Sequence, residues 1–222
     1  MAKTPSEAPR PVNFDRIARP YRWLEYGTLG PLLQRTRVYF LPQMLDCRQA
    51  LVLGDGDGRF VAELLRRNER VRVDAVDTSG AMLALLERRA RSERVTTHRL
   101  QAMDYVPEAG TDLVATHFFL DCLTQAEVDA LALRVAGGLV PGGLWVVSDF
   151  RIPAGVMRWP ARFYVGMLYR VFGFLTGLHV RRLPDHVAAL TAAGLTRIGL
   201  RRRLFGVLTS ELWRADGNGV LQ

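Results

Sequence analysis

Residues 51–60 read LVLGDGDGRF. An apolar run ends in Gly54-Asp55-Gly56-Asp57-Gly58, and a helical pattern begins at Phe60. A strand, a glycine-rich turn and a helix let a backbone close on a nucleotide. The glycines permit the approach, and the helix N-terminus offers free N–H groups. Spacing then selects the ligand. The dinucleotide fingerprint GxGxxG needs a glycine at position 59, where this chain has Arg59. Asp55 and Asp57 would also repel a pyrophosphate. A ligand with positive charge and no phosphate fits this turn better.

Outward from this turn the pattern alternates. Apolar runs at 50–53, 71–76, 95–100, 112–117 and 144–149 read as strands. Between them, 60–67, 79–91 and 125–135 have helical spacing, with Ser79 as an N-cap. Turns are expected at 107–110 and 137–143. A helix is expected over 184–193. Residues 196–205 and 207–214 read as a closing hairpin with a tight turn at Gly206. Alternation with short connections predicts an α/β, Rossmann-like sheet with helices on both faces.

At 222 residues the chain is long enough to bury one ordinary core. Hydrophobic content of 49% and charged content of 23% are those of a soluble globular protein. We expect a mobile tail over 1–12 and one domain over 13–222. N-terminal helices are expected within 13–45, broken near 27–31. Cys47 and Cys122 lie far apart with no CxxC spacing, which argues against a zinc site or a disulfide framework and suits a reducing cytoplasm. No metal is expected. The N-terminus lacks the apolar core of a signal peptide. The net charge is +8, and one lysine stands among 30 basic residues. This charge implies an anionic partner or, equally, the arginine bias of a GC-rich genome.

The ordered set of motifs resembles the class I S-adenosylmethionine-dependent methyltransferases over roughly 49–150. That family has a seven-stranded, mostly parallel sheet whose last strand is antiparallel. S-adenosylmethionine carries a sulfonium, an ammonium and one carboxylate, so aspartates in the loop are compatible with it. The resemblance implies that Gly54, Asp55, Gly56 and Gly58 form the first motif. Asp77, at the end of the second strand, would bind both ribose hydroxyls, since one carboxylate accepts two hydrogen bonds from a vicinal diol. Thr78 and Met82 would follow it at the cofactor. Asp104 would meet the adenine amino group, with Met103 and Tyr105 beside the ring. His117 and Phe118 end the fourth strand near the methyl donor. S-adenosyl-L-homocysteine would be the product. The segment FDRIARPY (14–21) resembles the N-terminus of ubiquinone and menaquinone biosynthesis methyltransferases, which would bring Tyr21 to the cofactor. HFFLDC (117–122) departs from that group, so its substrate does not carry over. A second departure is Val52, where the family usually has an acidic residue that orients the ammonium. Asp55 or Asp57 is expected to take that role.

Methyl transfer is an in-line displacement that needs alignment and exclusion of water. His117 is the candidate base, or else it packs against the donor. Asp121 would orient His117 or contact substrate. Cys122 reads as a small core residue, and His179 and His186 as surface or helix-capping residues. The aromatic insertion over about 151–183 includes Phe163, Tyr164, Met167, Tyr169 and Phe172. It forms either a cap over the site or part of the core. A cap would suit a small apolar or aromatic acceptor, and its arginines could rest on anionic lipid. The expected protein is cytoplasmic, either free or peripheral to the membrane, with a lipophilic small-molecule partner and no nucleic acid. Three other readings remain: a nucleic-acid methyltransferase, a protein that binds S-adenosylmethionine without transferring methyl, and an NAD dehydrogenase.

Overall fold

The computed structural model describes residues 30–153, 155–156, 158–163, 166–167 and 183–216. Tyr21, Tyr164, Tyr169, Phe172, His179 and the expected tail lie outside these residues.

The sheet follows from its runs. β1 (Gln49–Leu53), β2 (Arg72–Asp77), β4 (Leu113–His117) and β5 (Leu144–Phe150) are short, nearly wholly buried strands. Burial on both faces gives continuous apolar runs and favours parallel pairing. β3 (Val95–Arg99) and β6 (Leu195–Arg203) are the edges, and their exposed positions are polar or charged apart from Ile198. With β7 (Leu208–Ala215), the strands take the order β3-β2-β1-β4-β5-β7-β6. Only β7 runs against its neighbours, pairing antiparallel with both β5 and β6. The seven-stranded Rossmann-like sheet expected from the alternation is therefore present.

Two apolar layers cover the sheet. One side packs α1 (Gly30–Arg37), a 3-10 turn at Leu41–Met44, α2 (Arg59–Arg67) and α3 (Gly80–Ala90). The other packs α4 (Gln125–Gly138) and α5 (His186–Ala192). Two fully buried tryptophans, Trp145 and Trp213, pair across β5 and β7. Burying each such ring contributes roughly 2–3 kcal/mol. Trp145 also donates from Nε1 to Thr116 Oγ1 at 3.0 Å. Among the described residues, no helix is long and apolar enough to cross a membrane.

Two boundaries differ from the sequence reading. α4 runs on to Gly138, because a Thr124–Glu127 capping box starts it and the backbone packs where a Cβ on Gly138 would lie 2.8 Å from Pro107. The closing hairpin does not turn at Gly206 alone. Arg203 pairs with Leu208, so 204–207 make the turn, with Leu204 and Phe205 at positive φ of 48° and 53°.

Candidate functional site

The parallel strands bring Gly54, Asp77, His117 and Asp149 to one edge of the sheet. In open α/β sheets, the C-terminal ends of the strands are where ligands bind. All three loop glycines have positive φ: 67° at Gly54, 61° at Gly56 and 78° at Gly58. Each is required for its own reason. A Cβ on Gly54 would lie 2.4 Å from Phe119 Cδ2, and one on Gly58 would lie 2.7 Å from the Leu86 Cα of α3. Gly56 meets nothing within 4 Å. It is the loop residue whose backbone stands open to a ligand.

The two loop aspartates have separate tasks. Asp57 is held by Arg59 at 3.1 Å and by Arg89 at 2.7 Å, which ties the loop to α2 and α3. Asp55 accepts from the Val61 N–H at 3.0 Å through Oδ2 and so caps the start of α2. Its Oδ1 is buried with no hydrogen-bond partner among the described residues. Burial pushes the Asp55 carboxyl up to about 7, against the opposing pull of the Val61 amide and Arg37. Val52 is buried in the core beneath. With Asp57 occupied, Asp55 is the loop carboxylate with an uncommitted oxygen.

Asp77 ends β2, partly exposed, and its Oδ1 accepts from the Ser79 N–H at 2.8 Å. Thr78 is exposed, and Ser79 caps α3 by accepting from Met82 N–H at 3.2 Å. Met82 itself is buried at the foot of α3. Asp104 is exposed and Met103 half-buried on the turn after β3. Tyr105 is drawn elsewhere. Its ring packs 4.9 Å from that of His98, inside the α4 layer. Burial and the nearby Asp74 push its phenol up. Asp74 lies three residues before the end of β2, so Tyr105 is a packing residue and does not face the edge.

His117 points to the α2 side, with its ring centroid 4.3 Å from that of Phe60. It is only 3% exposed, and neither ring nitrogen has a hydrogen-bond partner among the described residues. Burial, and next Arg37, hold it well below the usual histidine range, so it is neutral. Asp121 sits in the 3-10 turn Leu120–Cys122 and lies beside Asp149. The structure therefore does not pair Asp121 with His117. Phe118 takes φ of 55°, a conformation costing about 1–3 kcal/mol in a bulky residue. This aims its ring at Phe150, 5.2 Å away, with the Arg37 guanidinium 5.1 Å from its centre. Arg37 and Asp149 were not foreseen. Only Asp149 carried a signal, as a carboxylate at the C-terminal end of a core strand. His186 is buried too, 3.5 Å from Glu211, and is not a surface residue.

A groove of about 780 Å³ lies elsewhere, on the outer face of α1, α2 and α3. Its arginines are largely committed: Arg59 and Arg89 to Asp57, Arg66 to Glu63, and Arg94 to backbone carbonyls. It does not contribute to the strand edge.

The sheet order and the left-handed glycine loop define a Rossmann-like, nucleotide-type fold. Residues 50–143 match the family model described as a methyltransferase domain. The N-methyltransferase NodS from Bradyrhizobium japonicum WM9 aligns over 86% of this chain and 99% of its own, at 13% identity and a TM-score of 0.62. It has also been solved with S-adenosyl-L-homocysteine. An O-methyltransferase family protein from Burkholderia thailandensis covers 90% of this chain at 16% identity and a TM-score of 0.64, over 70% of its own length. The mitomycin 7-O-methyltransferase MmcR aligns over 91% of this chain and 60% of its own, at 17% identity and a TM-score of 0.65. Comparison with curated proteins finds no match. Residues 50–143 thus match a methyltransferase domain, and the neighbours share its Rossmann-like fold. Such a domain implies methyl transfer, with S-adenosylmethionine as the donor.

The residues present fit that donor. The open backbone at Gly56 leaves room for it, the orphaned Asp55 oxygen matches its ammonium, and the partly exposed Asp77 carboxylate matches its ribose. When bound, it supplies an electrophilic methyl group on sulfur.

Proposed function

We propose that the enzyme methylates a small, lipophilic, apolar or aromatic acceptor, held over the ends of β4 and β5 beside the helix at 158–163. One observation carries this reading. Residues 158–163 are helical, and Ala161 packs with Val207, Phe150, Leu183 and Leu204 above the end of β5. Large apolar side chains project from the same place: Trp159 is 75% exposed, Phe163 74% and Phe205 79%. Trp159, Phe163 and Met167 recur every fourth residue, which is one stripe of a helix. Within residues 158–163 only Ala161 is buried, which supports reading this helix as a roof. Beneath it, the Phe118–Phe150 pair gives an apolar wall.

In this reading Asp55 orients the ammonium, Asp77 holds the ribose, and Phe118 and Phe119 shape the cleft and keep water out. Asp104, Met103 and the neighbouring Thr78 border the adenine end, while Met82 supports it from below. His117, neutral and buried against Phe60, braces the loop floor. The exposed stripe, with Arg158 and Arg162 beside it, also supports peripheral contact with an anionic membrane surface from the cytoplasm. The run Arg201–Arg203 supports no nucleic-acid groove, because Arg201 and Arg203 both stack on Tyr39.

The test is release of S-adenosyl-L-homocysteine from S-adenosylmethionine with a panel of phenols, hydroquinones and lipids. Turnover of a lipophilic member, enhanced by vesicles containing phosphatidylglycerol, supports the reading. Turnover only with RNA or DNA would sink it.

A further inference from the structure

We propose that the turn at 204–207 and the helix at 158–163 together form a docking surface for an anionic lipid bilayer, with the Phe205 ring as its inserted anchor. The inference rests on the reading of that helix as a roof over the site, and it names what the roof lies against.

Phe205 is the starting point. Leu204, Phe205 and Gly206 take successive positive φ of 48°, 53° and 91°. Left-handed backbone suits Gly or Asn and strains a bulky residue. Leu204 has a packing reason to be there, since it lies half-buried against Ala161 and Val207. Among the described residues Phe205 has no such reason. It is 79% exposed and belongs to none of the apolar clusters. The fold thus holds a large apolar ring out in solvent on strained backbone, and packing does not account for it.

The turn is fixed to the rest of the surface. The Arg151 N–H donates to the Val207 carbonyl at 2.8 Å, and a Cβ on Gly206 would lie 3.4 Å from Pro153 Cβ. Through Ala161 and Val207 the turn abuts the helix. Trp159 and Phe163 stand exposed on that helix, and Val156 just before it. Exposed apolar groups gathered in this way mark an interaction surface.

Charge selects the partner. Residues 150–163 and 195–208 hold seven arginines and no acidic residue, nearly the whole net charge of +8. Among the described residues only Arg197 of these has a carboxylate partner, Glu211 at 3.2 Å. An apolar crest set among arginines is complementary to acyl chains under a layer of phosphates. A second copy of this chain would set arginine against arginine. A nucleic acid would use the arginines and stack on the rings, but it gives no use to the exposed Val156 and Met167. Phe150, half of the aromatic wall, packs directly under this surface. A lipophilic acceptor then passes from the acyl chains to the site without crossing bulk water.

The experiment sediments the full chain with vesicles of phosphatidylcholine, with and without phosphatidylglycerol, in the absence of acceptor and methyl donor. Binding should require phosphatidylglycerol and weaken with salt. Phe205→Asn separates docking from folding, because asparagine tolerates the left-handed backbone. It should melt no lower than wild type and keep its affinity for S-adenosyl-L-homocysteine, yet bind vesicles roughly tenfold or more weakly. Arg158→Gln combined with Arg162→Gln should weaken binding by about tenfold. Phe205→Trp should keep binding and gain fluorescence quenching by brominated acyl chains over wild type. Binding that is indifferent to phosphatidylglycerol, Phe205→Asn binding within about threefold of wild type, or no added quenching overturns the proposal. Phe205-dependent binding of single-stranded RNA, or Phe205-dependent dimerisation, without vesicle binding overturns it as well. Since no acceptor is present, failure here leaves the acceptor reading standing, and a phenol panel without turnover leaves the docking surface standing.

Discussion

Asp55→Asn tests the glycine loop most directly. Burial carries the Asp55 carboxyl from its ordinary 3.8 to about 7. A carboxyl raised in the folded state binds its proton more tightly there than in the unfolded chain. Its contribution to stability is therefore present at low pH and lost as pH rises between those two values. At 1.36 kcal/mol per pH unit, the native state is about 4 kcal/mol less stable above pH 7 than below pH 4 through this group alone. Asparagine removes the charge and keeps an oxygen for the Val61 N–H, so the cap survives in weaker form. The variant should match wild type near pH 4 and exceed it by up to about 4 kcal/mol at pH 8. Urea unfolding at several pH values reads this as a midpoint difference that grows with pH at constant m. His117 works in the opposite sense. Its lowered value withdraws stability as pH falls below 6.5, but this cancels between the two proteins. A difference that stays constant from pH 4 to 8 would show that Asp55 ionises normally, and the argument would fail. Calorimetry supplies the second arm. If Asp55 holds the ammonium, affinity for S-adenosyl-L-homocysteine rises with pH through 7 in wild type, and the variant loses both the rise and the affinity. Unchanged affinity removes Asp55 from that role.

Gly58→Ala should cost more than about 2 kcal/mol, because φ of 78° is strained and the new Cβ meets α3 backbone at 2.7 Å. Gly56→Ala has open space and should cost only about 1–2 kcal/mol while weakening S-adenosyl-L-homocysteine binding; equal destabilisation of the two would refute the assignment. Asp57→Asn removes the carboxylate that ties Arg59 and Arg89 to the loop and should cost about 3 kcal/mol by denaturant midpoint, so a loss under about 0.5 kcal/mol would contradict it. Asp77→Ala should lower S-adenosyl-L-homocysteine affinity by roughly tenfold or more, the worth of charge-assisted hydrogen bonds to a ribose, with little change in melting temperature.

Local pattern foretold the elements that depend on neighbours in the chain. Apolar runs such as ALVL (50–53) and WVVSD (145–149) are strands because a doubly covered strand buries both faces. Ser79 was readable as a cap, since it bonds three residues ahead. Asp77 was readable because a strand end is a position in sequence. Reach across the chain was not readable. Tyr105 is drawn to His98 and Asp74, and His186 to Glu211, partners named only once β2, β3 and β7 have packed. The hairpin turn was misplaced because Arg203 and Leu208 set the register, and a glycine alone does not.

The order of strands and glycines thus fixed the class of ligand. Its spacing excluded a dinucleotide, because three left-handed positions and two carboxylates are local properties of 54–58. The division of labour between those carboxylates was decided by folding. Arg89 comes from 32 residues away to claim Asp57, and burial under α2 leaves Asp55 with an unmatched oxygen. Likewise Asp121 and Asp149 became a pair only when parallel β4 and β5 laid their ends side by side. Charge and hydrogen-bonding type are written in each residue, but the proton affinity of a carboxyl depends on what surrounds it.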